Sequence, residues 1–96
     1  MAPATSRHVH VRLWAAARAA AGQGEADVEV PGAGDPSVAD VRRAVLASLP
    51  GRPDLPRVLE VCSAIVGDRP VGAGDAGSVG VPDGVDVEFL PPFAGG

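Results

Sequence analysis

The segment SVADVRRAVLASL, residues 37–49, decides which fold this sequence can adopt. Ser37 stands where a helix N-cap is expected, and Asp40 three residues later completes a variant of the capping box. Pro50 and Gly51 would stop the helix after about three turns. Apolar residues recur at helical spacing, at Val38, Val41, Val45, Leu46 and Leu49. The segment therefore predicts an amphipathic helix whose apolar face packs on a sheet.

Four short segments around this helix are predicted to be strands. Three of them alternate between apolar and polar residues, and the fourth is apolar and too short for a helix. They are residues 9–13, 26–30, 61–66 and 85–89. Two antiparallel pairs joined by a crossover helix place that helix on one face of a mixed sheet, with a right-handed connection. The expected fold class is α+β.

Shorter features complete the predicted order of elements. Residues 15–21 are six alanines and one arginine, which predicts a short helix after the first strand, ended by Gly22 in a left-handed C-cap. Residues 55–59 suggest one further helical turn. The glycine-rich and alanine-rich stretch at residues 72–80 is predicted to be a flexible loop.

Composition and charge narrow the class of protein. Ninety-six residues are enough for one modest core, and the formal charge of −4 argues against a nucleic-acid partner. All eight basic residues are arginine, so the chain has no lysine for a Schiff base or an isopeptide bond at its own surface. No apolar run approaches the roughly 20 residues that span a bilayer. With one cysteine and no apolar leader in residues 1–7, we expect a cytoplasmic protein with no membrane partner.

Side chains that could carry chemistry have ordinary explanations. Residues 72–77 match the spacing of a dinucleotide-binding loop, but the prolines and glycines that follow prevent the required helix. His8 and His10 share a strand face and would need a third ligand to hold a metal, so a solvated face is preferred and no metal site is predicted. Cys62 is predicted to be a small core residue. The carboxylates are scattered singly, so paired acid and base catalysis is not expected.

The remaining candidate is the C-terminal segment Pro91-Pro92-Phe93-Ala94-Gly95-Gly96. Its two prolines stop ladder pairing and hold the chain extended, and Phe93 offers an apolar anchor. The two glycines have no side chain beyond Cα, so this thin thread could enter a narrow channel, where the free carboxylate of Gly96 could be activated. A frayed terminus can have the same composition, so the diglycine alone leaves both interpretations open.

The order of elements and the ending VEFLPPFAGG, residues 87–96, together resemble the ubiquitin-like sulfur-carrier family. That family includes the small subunit of molybdopterin synthase and the thiamine sulfur carrier. The resemblance covers most of the chain, from the first strand with Trp14 and Ala15, through the main helix, to the turn before the last strand. It implies a β-grasp, ubiquitin-like fold: a mixed sheet with the last strand beside the first, one main helix on one face and a short extra helix after the first strand.

The resemblance also implies a chemistry for the tail. In the family, a ubiquitin-activating-like adenylyltransferase and sulfurtransferase uses ATP to adenylate the C-terminal glycine, and sulfur then replaces the adenylate to give a thiocarboxylate. By position, Gly96 carries the sulfur. The implied partner-binding residues are Gly95, Ala94, Phe93, Pro92 and Pro91. The implied acceptor is the large subunit of molybdopterin synthase, in molybdenum cofactor biosynthesis, with no catalytic side chain and no stably bound cofactor in this chain.

Two other functions stay open from the sequence. The chain could carry sulfur for cysteine, thiamine or secondary-metabolite biosynthesis, or it could be a non-catalytic ubiquitin-like interaction module with an incidental tail. The expected organisation is a disordered N-terminal extension at residues 1–7, a β-grasp domain at residues 8–90 and a flexible diglycine tail at residues 91–96.

Overall fold

The computed structural model describes residues 6–92. Its elements are β1 (Ser6–Leu13), α1 (Ala15–Ala21), β2 (Glu25–Pro31), α2 (Val38–Ser48), α3 (Leu55–Glu60), β3 (Ser63–Val66), β4 (Arg69–Val71) and β5 (Val87–Leu90), with one 3-10 turn at Ala73–Asp75. β1 begins at Ser6, so it includes two residues that the sequence assigned to the N-terminal extension. The rest of that extension, residues 1–5, lies outside the described residues.

The five strands form one mixed sheet in the order β2-β1-β5-β3-β4. β1 pairs antiparallel with β2, and β3 pairs antiparallel with both β4 and β5. β5 and β1 run parallel, with Val11 opposite Val87. The last strand therefore lies beside the first, as the resemblance implied. Together with the helix that connects the two halves of the sheet, this topology defines a β-grasp, ubiquitin-like fold, and the predicted fold class is confirmed.

The main helix α2 forms where the sequence predicted it because its first turn is capped. The Ser37 hydroxyl accepts a hydrogen bond from the Asp40 backbone N–H at 3.0 Å, and the Asp40 carboxylate accepts one from the Ser37 backbone N–H at 2.9 Å. The Ser37 backbone donor is the main reason that the pKa of Asp40 is lowered. This reciprocal capping box satisfies donors that every helix start leaves unpaired.

The core lies between the sheet and the three helices. Side chains from each element are less than a tenth exposed and form one continuous apolar cluster. The sheet contributes Val9, Val11, Leu13, Val28, Val30, Ala64, Val66, Val71, Val87 and Phe89; the helices contribute Ala17, Ala21, Val38, Val41, Ala44, Val45, Leu55 and Leu59. Fully burying a valine or leucine side chain stabilises the fold by about 1.5 to 3 kcal/mol before entropy is counted, so this cluster is the main favourable contribution.

The glycine-rich stretch at residues 72–80 is a loop with one 3-10 turn, as the sequence predicted, and it is packed against α2. The backbone N–H of Val38 donates to Val79 O at 3.0 Å, and that of Ala39 donates to Ala76 O at 2.9 Å. Ala76 is buried, with 3% of its surface exposed. The loop therefore accepts hydrogen bonds from first-turn amides of α2 that the helix itself cannot pair. The sequence predicted the loop but not this packing, because a composition rich in glycine says nothing about which carbonyls a tertiary neighbour will use.

Strand β4 was not predicted. It is three residues long and contains Pro70, a residue that strands rarely tolerate except at an edge. β4 occupies an edge of the sheet, where the missing N–H of Pro70 costs no ladder bond to a further strand. Among residues 6–92, no helix is long and apolar enough to cross a membrane.

Replacing Ser37 with alanine tests the capping box. We expect Ser37→Ala to lower the free energy of unfolding by about 1 kcal/mol, because the Asp40 backbone N–H loses its acceptor. Urea denaturation followed by circular dichroism measures the change. Ser48→Ala, at the other end of α2, is the matched control. The Ser48 hydroxyl donates to Ala44 O at 2.9 Å, and the loss of this hydrogen bond is compensated by the better helix propensity of alanine. Equal losses in both variants would contradict the capping role.

Candidate functional site

The predicted site begins where β5 ends. β5 stops at Leu90, and Pro91 and Pro92 follow outside the sheet, as the two missing amide donors require. The other predicted site residues, Phe93, Ala94, Gly95 and Gly96, lie outside the described residues. The structure therefore describes the root of the tail, which we define as the end of β5 with its flanking residues Trp14, Val61 and Ser63.

The root is held in place on both sides because β5 is the central strand of the sheet. Phe89 is completely buried, and its carbonyl accepts a hydrogen bond from the Trp14 backbone N–H at 3.2 Å. On the other side, the Ser63 hydroxyl donates to the Leu90 carbonyl at 3.3 Å. These two hydrogen bonds therefore fix the position and the direction of the end of β5, and Pro91 follows directly after it.

Two large apolar side chains are exposed in the described part of the chain, and both belong to this root. Trp14 is 42% exposed and directly follows Leu13, the residue that pairs with Phe89. Val61 is 54% exposed and lies two residues before Ser63, the residue that pairs with Leu90. An exposed large aromatic side chain such as Trp14 is typical of protein contact sites.

The orientation of Trp14 is fixed by local structure. Its indole Nε1 donates to a carboxylate oxygen of Glu88 on β5 at 2.9 Å. The next residue, Ala15, has a φ of 51°, a left-handed conformation that is uncommon for any residue except glycine. This turn brings the chain sharply from β1 into α1. The exposed indole is therefore held against β5, which lowers the entropy that a partner would have to overcome in binding it.

Positive charge lies next to Trp14. A cavity of about 310 Å³ is lined by Arg12, Leu13, Trp14, Arg18, Gly24 and Glu25. Arg12 lies 4.0 Å from a carboxylate oxygen of Glu25, whereas Arg18 forms no ion pair within residues 6–92. A partner that covered the root could thus place an acidic group near these guanidinium groups while its apolar surface covers Trp14.

The other candidate groups do not form a reactive centre with the root. Cys62 is 1% exposed, its thiol donates to Val58 O at 3.2 Å, and burial raises its pKa, so the prediction of a core residue is confirmed. Residues 6–92 contain no group of three or more histidine, cysteine, aspartate or glutamate side chains placed to hold a metal ion. Residues 72–77 form a 3-10 turn and a loop rather than the start of an α-helix.

His10 pairs with carboxylates on the neighbouring strand. Its Nδ1 lies 2.8 Å from an oxygen of Asp27, and its Nε2 lies 2.8 Å from an oxygen of Glu25. Only the protonated imidazole can donate from both nitrogens, so these bonds, with that to Asp27 the larger cause, raise the pKa of His10. The sequence predicted a solvated face here and missed both carboxylate partners, which lie on a strand 15 or more residues away.

The sequence also missed Trp14, Val61 and Arg18 as parts of the site. One signal was present, because Trp14 falls on the polar side of the alternation in β1, where a large aromatic residue has no core to enter. Val61 was assigned to the third strand, but the structure places it at the C-cap of α3. Nothing in its local sequence indicates that exposed position.

No protein-family model matches the chain, and no curated protein does. Solved structures do match, and what they share with this chain is the ubiquitin-like β-grasp fold. SAMP1 from Haloferax volcanii matches with a TM-score of 0.67 at 22% identity, over 93% of this chain and 99% of that one.

Two further structures agree. The small archaeal modifier protein 1 from Methanosarcina acetivorans gives a TM-score of 0.70 at 21% identity, covering 96% of this chain and 99% of its own. A Pyrococcus furiosus protein assigned as subunit 1 of a molybdopterin converting factor gives 0.65 at 21% identity, covering 92% of this chain and all of its own, 100%. At these identities the likeness establishes the fold.

The His10 pairing makes stability depend on pH. Because the folded pKa is raised above the usual 6.5, the contribution is fully present below that value and is lost as the pH rises through the folded pKa. We therefore expect the free energy of unfolding to fall between slightly acid and slightly alkaline pH, and His10→Gln to remove most of that slope. Urea denaturation at several pH values measures it. His8→Gln is the control, because His8 lies on the same strand face and its ring forms no hydrogen bond within residues 6–92; this variant should keep the slope. If both variants lost the slope, the pH dependence could not be assigned to His10.

Proposed function

We propose that this chain is a ubiquitin-like carrier whose C-terminal carboxylate, on Gly96, is activated by a partner enzyme and converted to a thiocarboxylate. The observation that supports the proposal most is the root of the tail. The central strand is followed directly by two prolines, and Trp14 and Val61 are exposed in the segments next to it. The diglycine sequence follows within four residues of Pro92.

The chemistry requires little from the carrier itself. A carboxylate is a poor electrophile until one of its oxygens becomes a good leaving group. In the proposed sequence, an oxygen of Gly96 attacks the α-phosphorus of ATP, pyrophosphate leaves, and an acyl adenylate forms. Hydrosulfide then attacks the carbonyl carbon, AMP leaves with the bonding electron pair, and the thiocarboxylate remains. Every step occurs on the partner, so the carrier has to supply a thin, accessible end and a surface that positions it.

The described residues are suited to the second of these tasks. Because Phe89 is buried and Leu90 is bonded to Ser63, a partner that binds the body determines where the tail begins. Each further residue then adds at most about 3.6 Å of reach. The activating enzyme and the sulfur acceptor can therefore use the same surface in turn, each placing its own active site one tail length away from Trp14.

For the destination of the sulfur, we propose molybdenum cofactor biosynthesis, with the large subunit of molybdopterin synthase as the acceptor. The sequence resemblance and the fold shared with a protein assigned as a molybdopterin converting factor subunit favour it. The thiocarboxylate of Gly96 would be the sulfur source, and ATP would be consumed by the activating enzyme only.

A second candidate is covalent attachment of the tail to other proteins, favoured by the fold shared with two proteins named as modifiers. The activated carboxylate of Gly96 would then be attacked by a lysine amine of a target rather than by sulfide. Because this chain contains no lysine, it could not itself accept a second copy through a lysine side chain. Such conjugates would carry single units rather than lysine-linked chains.

The first test is the intact mass of the chain after incubation with ATP, sulfide and an adenylyltransferase of the ubiquitin-activating class. We expect one C-terminal oxygen to be exchanged for sulfur, and we expect no exchange when Gly95 and Gly96 are deleted or when one bulky residue is added after Gly96. Adding the large subunit of a molybdopterin synthase with its pterin precursor should return the mass to its starting value.

Other outcomes of this assay separate the alternatives. A thiocarboxylate that forms but is not consumed by the large subunit favours a different sulfur pathway. Conjugates on lysine-containing proteins favour the modifier. If several competent activating enzymes leave the carboxylate unchanged, the carrier proposal is wrong and the chain is an interaction module.

The exposed indole gives a second test. We expect Trp14→Ala to reduce kcat/KM for thiocarboxylate formation by about tenfold or more, because aromatic side chains at the centre of an interface contribute most of its binding energy. Trp14→Phe is the matched control, since it keeps a ring while removing the hydrogen bond to Glu88, and it should lose much less. Urea denaturation checks that both variants stay folded. Unchanged kinetics in Trp14→Ala would mean that partners do not use this side of the root.

A further inference from the structure

Within residues 6–92, the sheet has one long edge without a further strand, and this edge is two strands away from β5. β2 is the terminal strand in the sheet order, has seven residues and pairs only with β1. The opposite edge strand, β4, has only three residues and contains Pro70. Because a long unpaired strand offers a row of free hydrogen-bonding groups to any extended chain, this edge is a potential binding surface.

The register shows which backbone groups are free. The N–H of Leu13 donates to Gly24 O at 2.8 Å. Gly24 therefore directs its backbone groups toward β1. In an antiparallel ladder every second residue does so, which means that Val28 and Val30 also face β1. The residues between them, Asp27 and Glu29, direct their N–H and C=O groups outward. Glu25 follows the same alternation, and its carbonyl accepts a bond from the Gln23 side chain at 2.6 Å. As far as residues 6–92 are concerned, Asp27 and Glu29 therefore present two free N–H and two free C=O groups.

A groove with a mostly apolar surface follows the same edge on the inner side of the sheet. It has a volume of about 380 Å³ and lies between β2 and α2. Its apolar lining is Val30, Pro31, Ala44 and Ala47, and its charged lining is Glu29, Asp40 and Arg43, the last two paired with each other at 3.1 Å. The groove exists because α2 presents two alanines toward this edge, where larger side chains would have filled the space. A strand added beside β2 would direct every second side chain into this groove.

The outer side of the same edge carries three carboxylates. Glu25, Asp27 and Glu29 project from alternate positions of β2. Glu25 and Asp27 pair with His10 on β1, but their side chains stay 63% and 78% exposed. Glu29 forms no ion pair within residues 6–92. Opposite charges directly across two strands stabilise a pair, whereas like charges destabilise it. An added strand should therefore carry basic residues on its outer face.

The same charges disfavour a second copy of this chain as the occupant. Antiparallel pairing of two β2 strands centred on Asp27 would place each Asp27 opposite the other and each Glu25 opposite a Glu29. All three cross-strand pairs would bring like charges together. A partner that alternates basic and apolar residues has none of these clashes.

We infer that the β2 edge is a second docking site, separate from the tail root, which binds an extended segment of a partner protein by strand addition. The segment alternates apolar residues, which enter the groove beside Ala44 and Ala47, with lysine or arginine residues, which face Asp27 and Glu29. Backbone hydrogen bonds to β2 provide affinity, and the alternation of side chains provides specificity. This site is independent of the proposed carrier function, because it uses neither Gly96 nor Trp14.

The test uses the full chain and a synthetic peptide of about seven residues, an ordinary strand length, in which lysine and valine alternate. Amide-resolved NMR should show shifts confined to β2 and to the α2 residues of the groove, and affinity should fall as salt is raised. A peptide in which glutamate replaces lysine should not bind. No shifts up to about 1 mM lysine–valine peptide, a concentration that would detect even weak specific binding, would overturn the proposal. Equal binding of both peptides, or shifts at Trp14 and Leu90 instead, would overturn it too.

Variants of Glu29 separate strand addition from simple charge attraction. Glu29→Pro removes one outward N–H, and proline is tolerated at an edge strand, so affinity should fall by about tenfold or more. Glu29→Ala keeps the N–H and should lose much less. Circular dichroism checks the fold of each variant. A lysine–valine peptide with N-methyl groups on the residues that face β2 makes the same test on the unaltered chain, and undiminished binding of that peptide would also overturn strand addition.

Discussion

The parallel pairing of β1 with β5 joins the first and last strands of the domain, and the other features of the molecule follow from it. It places β5 at the centre of the sheet, between β1 and β3, where Phe89 is completely buried. Truncating a buried phenylalanine costs about 3 to 5 kcal/mol, a large share of the stability of a domain of this size. The last strand therefore ends in the middle of the sheet, paired on both sides, and not at its margin.

This arrangement separates the tasks of the molecule in space. The tail root is on the central strand, with Trp14 and Val61 in the segments that flank it, whereas the free edge at β2 is two strands away from β5. The packed loop at residues 72–80 has a third task, because it accepts hydrogen bonds from the first turn of α2. A mutation in one of these regions should leave the other two intact, which is the condition for measuring each of them alone.

Most of the fold could be predicted from the sequence, because local patterns determine it. The capping box at Ser37, the alanine-rich helix with Gly22 at its left-handed end and the prolines after Leu90 all act within a few residues, and the structure contains each of them. β4 could not be predicted in this way, since three residues including Pro70 carry no strand signal of their own. They are held as a strand only by pairing with β3.

The site was predictable only in part, for a similar reason. The prolines that end β5 are visible in the sequence, but the indole of Trp14 is fixed by Glu88, a residue 74 positions away. The two carboxylates that hold His10 are likewise on another strand. Contacts between residues distant in sequence depend on the register of the sheet, and one residue of slip would move each side chain to the other face. The sequence did not indicate the groove beside Ala47 either, because alanine in a helix predicts good helix formation and not an open space next to the helix.

The central position of β5 also has a mechanical consequence. A partner that pulls on the tail applies force along β5, whose backbone is bonded to β1 on one side and to β3 on the other. The force acts lengthwise across both ladders, so their hydrogen bonds are loaded together in shear and do not open one after another. An edge strand such as β4 would be peeled away from its single neighbour. A force applied at the end of β5 would therefore be shared by the whole sheet and would not unravel the body strand by strand.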